Sequence, residues 1–99
     1  MARFDVYAGV GAAEGYVVDV QAPLLYGLAT RIVIPLLPRD TTLAVRELNP
    51  TVDVGGRSFM LMTQELAAIP RSLLRQPVVS LADRRDDTTR ALDTLFTGF

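Results

Sequence analysis

Few of the side chains in this 99-residue chain could perform acid–base or metal chemistry. The sequence holds no histidine and no cysteine, which removes the commonest general base near neutral pH, the commonest metal ligand and all thiolate chemistry. All ten basic residues are arginine. A catalytic site would therefore have to consist of Asp, Glu, Ser, Thr, Tyr and Arg, gathered in a recognisable cluster.

The motifs that superficially suggest such a site each have a simpler interpretation. Asp86 and Asp87 are adjacent carboxylates, but neighbours on a helix point about 100° apart, so a solvated face is favoured. The stretch GVGAAEG at 9–15 lacks the Lys-Ser/Thr of a phosphate-binding loop and precedes a strand pattern. PLLP at 35–38 fits a PxxP pattern inside a predicted strand. These observations favour a binding protein, not an enzyme, without a cofactor or metal.

The end of the chain, ALDTLFTGF at 91–99, is the stretch that most suggests a contact. Leu92, Leu95, Phe96 and Phe99 follow helical spacing, which predicts one apolar helix face. Gly98 predicts a left-handed residue that ends the helix and places Phe99 beyond it. Packing explains Leu92 and Leu95, and the tail after the helix is interpreted as a contact surface.

Composition limits the class of protein. The length fits one domain, taken as residues 1–99, and 49% hydrophobic content with a mean hydropathy of +0.27 indicates a folded chain. The net charge of −1 gives no basic footprint for direct binding of nucleic acid. No segment has the pattern of a signal peptide or a membrane span, so a cytoplasmic protein without membrane contact is expected.

Period-2 alternation predicts three strands in the first forty residues, at 3–10, 16–21 and 30–38. A hairpin loop at 9–15 joins the first two strands. Pro35 would remove a ladder hydrogen bond and predicts a bulge or a sheet edge. Residues 22–29 are irregular, with Pro23 and Gly27 as breakers around a Leu24-Leu25 pair.

The clearest strand signal lies at 50–63, where two alternating segments flank Gly55-Gly56 as in a type I′ hairpin. Phe59 to Met62 are apolar on both faces, as in a central strand covered by a helix or by another subunit; the helix is favoured. TLAVREL at 42–48 is ambiguous, and its neighbours favour a strand. Residues 63–74 predict a short helical turn stopped by Pro70.

The last quarter of the chain predicts a short strand at 77–81 and a helix at 82–96. Asp83 is the expected cap, and Asp86 with Arg90 is a correctly oriented i,i+4 pair. Many short strands followed by one helix indicate a mainly β domain, with a barrel-like sheet and a C-terminal helix.

Several segments, in order along nearly the whole chain, resemble the CcdB family of toxins from bacterial toxin–antitoxin modules. The similar segments are YVVDVQ with Leu24-Leu25, RIVIPL at 31–36, RELNPTVDVGGRSFMLMT at 46–63 with LAAIP after it, and VVSLADRRDD at 78–87 leading into ALDTLFTGF. The resemblance implies an SH3-like small β barrel of the CcdB/MazF type, with an added small sheet and a C-terminal helix, that forms a homodimer.

The resemblance also implies a function by binding. Family members are not enzymes; they poison DNA gyrase by trapping its A subunit on cleaved DNA. A CcdA-like antitoxin neutralises the toxin and, together with it, represses the shared operon, so contact with DNA is indirect.

In such toxins the gyrase contact lies on the last residues of the chain and on an aliphatic pair after the second strand. By position these are Leu24, Leu25, Asp93, Phe96, Thr97, Gly98 and Phe99. Thr97 stands where the family pattern has Trp, and Asp93 where it has Asn. These departures leave open a diverged homologue that keeps its antitoxin and no longer poisons gyrase. The similar barrel of MazF-type toxins leaves open a ribonuclease.

Overall fold

In the computed structural model of the protein, the described residues form seven antiparallel strands in one curled sheet, followed by a helix. The structure describes residues 2–10, 15–40, 42 and 44–98. The strands are β1 (Asp5–Ala8), β2 (Tyr16–Asp19), β3 (Thr30–Pro38), β4 (Thr51–Val54), β5 (Arg57–Leu61), β6 (Ala67–Pro70) and β7 (Pro77–Ser80), and the helix is α1 (Arg85–Thr97). The expected mainly β class with a C-terminal helix is confirmed.

The strands follow the order β4-β5-β3-β2-β1-β7, and β6 joins the sheet as a branch on β3. Both β5 and β6 pair with β3, β5 with its end at Leu36–Pro38 and β6 with its start at Thr30–Val33. Pro35 therefore lies between the part of β3 that pairs with β6 and the part that pairs with β5. No ladder hydrogen bond to β5 or β6 is lost because proline has no N–H at this position. The predicted bulge or sheet edge at Pro35 is wrong, because β3 is an internal strand in which Pro35 pairs with Val17 of β2 and its carbonyl accepts from the Met62 N–H.

Alternating side chains divide the apolar core between the two faces of the sheet. One face gathers Val6, Val18, Ile34, Leu36, Val52 and Leu61 with their neighbours. The opposite face gathers Tyr7, Val17, Val33 and Leu74. Both faces of β1 and β2 are buried, whereas Ala8 at the end of β1 is exposed.

The hairpin at 50–63 forms as predicted, because Gly55 and Gly56 have φ angles of 60° and 80°. Phe59, Met60, Leu61 and Met62 are all buried within this single chain. The face of Met60 borders residues 44–50 instead of the expected helix, since Met60 lines a small pocket with Ala44, Arg46 and Pro50.

Two predictions of secondary structure are wrong. Residues 44–48 form no strand; the N–H groups of Leu48 and Asn49 both donate to the Val45 carbonyl, and the Asn49 side chain accepts from the Val45 N–H. This local bonding satisfies the backbone without a strand partner. The predicted helical turn at 63–74 is instead a 3₁₀ turn (Thr63–Glu65), strand β6 and a second 3₁₀ turn (Arg71–Leu73).

The helix begins later than predicted and is held differently. Ala82–Arg84 form a 3₁₀ turn, and Arg84, not Asp83, is the residue before α1. The Arg84 guanidinium donates to Asp87 at 2.9 Å and to the Thr51 carbonyl at 2.9 Å, which ties the helix start to β4. Arg90 lies 3.6 Å from Asp87, so the ion pair expected between Asp86 and Arg90 is made with Asp87.

Candidate functional site

The Leu24-Leu25 pair lies on a 3₁₀ turn, Pro23–Leu25, here named the leucine turn. Pro23 suits the start of the turn because its ring fixes φ and its missing N–H would find no partner there. No residue of the turn is buried, and the side chain of Leu24 is 93% exposed. The turn therefore presents an aliphatic side chain to solvent.

A buried polar network underlies the leucine turn. The Gln21 side chain donates to the Leu25 carbonyl at 2.8 Å and accepts from the Ile32 N–H at 3.1 Å. Its backbone N–H donates to Asp19 at 3.1 Å. Asp19 in turn accepts from the Arg31 guanidinium at 2.7 Å, with both side chains almost fully buried. The network connects the turn to β2 and β3 in the middle of the sheet.

Burial governs the electrostatics of this network. Removal from water raises the pKa of Asp19 above its ordinary value, while the Gln21 N–H and the Arg31 guanidinium oppose that rise. Burial likewise raises the pKa of Tyr7 and of Tyr26, which face the same charged groups. Because Asp19 and Arg31 are closed off from solvent, neither is available to a substrate, and the network is structural.

The end of α1 provides the second predicted segment. Gly98 is left-handed at a φ of 81°, and its N–H donates to the Thr94 carbonyl at 3.0 Å, which confirms the predicted helix stop. The Phe96 side chain is 71% exposed. The Thr97 hydroxyl donates to the Asp93 carbonyl at 2.6 Å, so it is engaged within the helix. Phe99 lies outside the described residues.

The fold brings the two segments together around one open apolar groove of about 440 Å³. Leu25 and Phe96, 71 positions apart in sequence, both line it. The other apolar lining residues are Val20, Ala22, Leu28, Ile32, Leu66 and Leu92. Asp93, Thr97 and Gly98 are exposed on the same helix end without lining the groove, and Leu24 lies beside it on the leucine turn.

The groove has a mainly apolar lining. Among the described residues, its polar lining side chains are Gln21 and Thr30. Exposed apolar patches of this kind mark interaction sites on proteins. Among residues 2–10, 15–40, 42 and 44–98, no three acidic side chains come together as a metal site would require.

Sequence reasoning missed part of the groove. Leu28 is 52% exposed and lines it, as do Leu66 and Ile32, yet none was predicted as a site residue. The exposure of Leu28 could have been predicted from the sequence. It lies between glycine and alanine in an irregular segment, so no helix or strand pattern assigns it to the core. The role of Leu66 could not have been predicted, since it depends on β6 pairing with the start of β3.

Two findings concern the chain as a whole: the length and hydropathy of its helices, and its match to a protein family. No helix in the described part of the chain is long and apolar enough to cross a membrane. A family model described as CcdB protein matches residues 3–98, which is nearly the whole chain. The protein therefore belongs to the CcdB family, the toxins of bacterial toxin–antitoxin systems.

Proposed function

We propose that this toxin acts by binding the A subunit of DNA gyrase through the apolar groove and the chain end beside it, and that it poisons gyrase on cleaved DNA. One observation supports this most directly. Leu25 and Phe96 come from the two separate segments on which the family resemblance places the gyrase contact, and both line a single exposed groove.

The chemistry of the groove favours a protein partner. Interface energy is concentrated in a few apolar or aromatic anchors that become fully desolvated in the complex. Phe96 is the largest exposed apolar side chain described, and Leu24, Leu25 and Leu28 surround the same region. Phe96 supplies the aromatic anchor in a chain whose position 97 is threonine.

The other partners proposed are those of a toxin–antitoxin module. A CcdA-like antitoxin neutralises this toxin, and the pair represses their operon, so that DNA is contacted only through the complex. The toxin is a homodimer in the cytoplasm, where its target is found. It is not an enzyme, and the groove gives no observation that favours a ribonuclease.

Induction of the protein in bacteria tests the proposal. We expect growth arrest with broken DNA carrying covalently attached gyrase, and intact mRNA. The variants F96A and L25A should lose affinity for purified gyrase A subunit by thirtyfold or more if each is an interface anchor, since truncation of an anchor costs about 2 kcal/mol or more.

A matched control is V45A, which truncates a side chain that is also about half exposed, 52%, and lies outside the groove. It should bind and kill like the wild type. Deletion of residues 97–99 should also relieve toxicity. The proposal fails if folded F96A kills as efficiently as the wild type, or if the induced cells show fragmented mRNA with unbroken DNA.

A further inference from the structure

We infer that Tyr26 is a positioning residue for gyrase binding: its ring, stacked on the buried Arg31 guanidinium, holds the leucine turn in the conformation that presents Leu24 and Leu25. The inference rests on the proposed function as far as gyrase contact is concerned. Its claim about the turn itself can be tested without gyrase.

The stack is made at a fixed point of the sheet. The Arg31 guanidinium carbon lies 3.7 Å from the centre of the Tyr26 ring. The same guanidinium donates to Asp19 at 2.7 Å, and Arg31 is only 3% exposed. A cation held over an aromatic face attracts it more strongly when both are withdrawn from water. Arg31 is thus a rigid charged surface against which the Tyr26 ring can be placed.

Tyr26 is well situated to control the turn, because it directly follows Leu25. Its N–H donates to the Pro23 carbonyl at 3.1 Å and closes the turn. Its own carbonyl accepts from the Arg71 guanidinium at 3.2 Å. Beside it, the Gln21 side chain donates to the Leu25 carbonyl. The C-terminal end of the leucine turn is therefore attached to side chains next to the strands of the sheet, Gln21 after β2 and Arg71 after β6.

The turn needs such attachment because it has little packing of its own. None of Pro23, Leu24 and Leu25 is buried. An apolar side chain exposed as fully as Leu24 would gain free energy by folding back over the adjacent groove. The stack of Tyr26 on Arg31 opposes that rearrangement and keeps the turn ready for a partner, which lowers the ordering cost of binding.

Hydrogen exchange of the turn amides, compared between Y26L and Y26F, tests the inference. The reporters are the N–H groups of Leu25, Tyr26 and Leu28, which donate to carbonyls within the segment 22–25. Y26L keeps an apolar side chain without a π face, and we expect these amides to exchange about tenfold faster. Because the stack is also lost on global unfolding, the urea midpoint should fall as well, by no more than the same tenfold factor in the unfolding equilibrium constant accounts for.

Y26F is the matched control. The Tyr26 hydroxyl has no hydrogen-bond partner among the described residues, so removal of that hydroxyl should leave turn exchange at the wild-type rate. Y26W, which offers a larger stacking face, should exchange no faster than the wild type. Affinity for gyrase A subunit should fall several-fold in Y26L alone, because fewer molecules present the turn.

The outcomes separate the two hypotheses. Unchanged turn exchange in Y26L, equal acceleration in Y26F, or acceleration of the sheet amides beyond that of the turn amides would each overturn the positioning role. Faster turn exchange of the expected size, together with unchanged gyrase affinity, would support the positioning of the turn and contradict gyrase contact through Leu24 and Leu25.

Discussion

At the scale of single residues, Thr97 is the position where the proposed contact differs most from the family pattern. Its side chain is exposed, and its hydroxyl donates back to the Asp93 carbonyl at 2.6 Å. Threonine therefore offers a partner mainly one methyl group. The family resemblance places a tryptophan here, and a tryptophan at the centre of an interface is a typical anchor.

The substitution T97W should therefore tighten binding to gyrase A subunit. A newly buried indole contributes about 2 kcal/mol or more at a well-packed interface, which is about thirtyfold in affinity. The position is exposed, so the free energy of unfolding should stay within about 0.5 kcal/mol of the wild type. Titration calorimetry of both proteins against the gyrase subunit measures the difference.

T97V is the control for the lost hydroxyl, because it has nearly the same shape and cannot donate to Asp93. It should bind like the wild type. Equal affinity of T97W, T97V and the wild type would show that residue 97 lies outside the contact, and would restrict the site to the groove.

Part of the candidate site could be predicted from the family resemblance. By position it assigns Leu25 and Phe96 to the contact, and both line the groove, so these two residues could be predicted. Tyr26 could not be, since its importance depends on Arg31 lying 3.7 Å away on β3. Such a contact between an irregular segment and a strand produces no periodic pattern of residues in either segment. It can therefore be identified only from the structure.

At the scale of elements, the β4–β5 hairpin offers the clearest test of how the sequence determines the fold. Gly56 has a φ of 80°, and a Cβ added there would meet no atom within 4 Å. The cost of G56A should thus come from backbone strain alone, about 1–2 kcal/mol. Urea unfolding of G56A, compared with the wild type, measures this cost.

G27A is the matched control, since a Cβ at Gly27 also meets no atom within 4 Å and its φ is not positive. G27A should leave stability unchanged or raise it slightly, because alanine reduces the freedom of the unfolded chain. If both alanine variants unfold at the same urea concentration, the positive φ of Gly56 does not govern the hairpin.

The other elements show where local patterns suffice and where they do not. β-branched residues and a two-glycine loop predicted the central strands, because the signal lies within each segment. Residues 67–70 were misread since AAIP has no strong pattern; they become β6 only because β5 leaves the start of β3 unpaired. Residues 44–48 were misread because a local turn satisfies the Val45 backbone: its carbonyl accepts from the Leu48 and Asn49 N–H groups, and its N–H donates to the Asn49 side chain.

At the scale of the whole molecule, the apolar surface is unevenly distributed. Leu24, Leu25, Leu28 and Phe96 are all substantially exposed around one groove. β6 begins directly after Leu66, which lines this groove. Apart from β3, β6 pairs with no strand in the described part of the chain. An apolar groove beside an open strand edge is an unfavourable surface for an isolated monomer.

The family resemblance implies a homodimer, so we expect a mass in sedimentation equilibrium of twice the 10.8 kDa of one chain. Two charge substitutions locate the interface. L28D places a carboxylate in the groove, and V78D places one on β7 at the far end of the strand order, on a side chain that is similarly exposed. If the groove region forms the dimer, L28D should dissociate it and V78D should not, because an unpaired carboxylate in an apolar interface costs several kcal/mol.

The reverse result would place the dimer on the β7 edge, leaving the groove free in every subunit for gyrase. A monomeric wild type at micromolar concentration would contradict the dimer altogether.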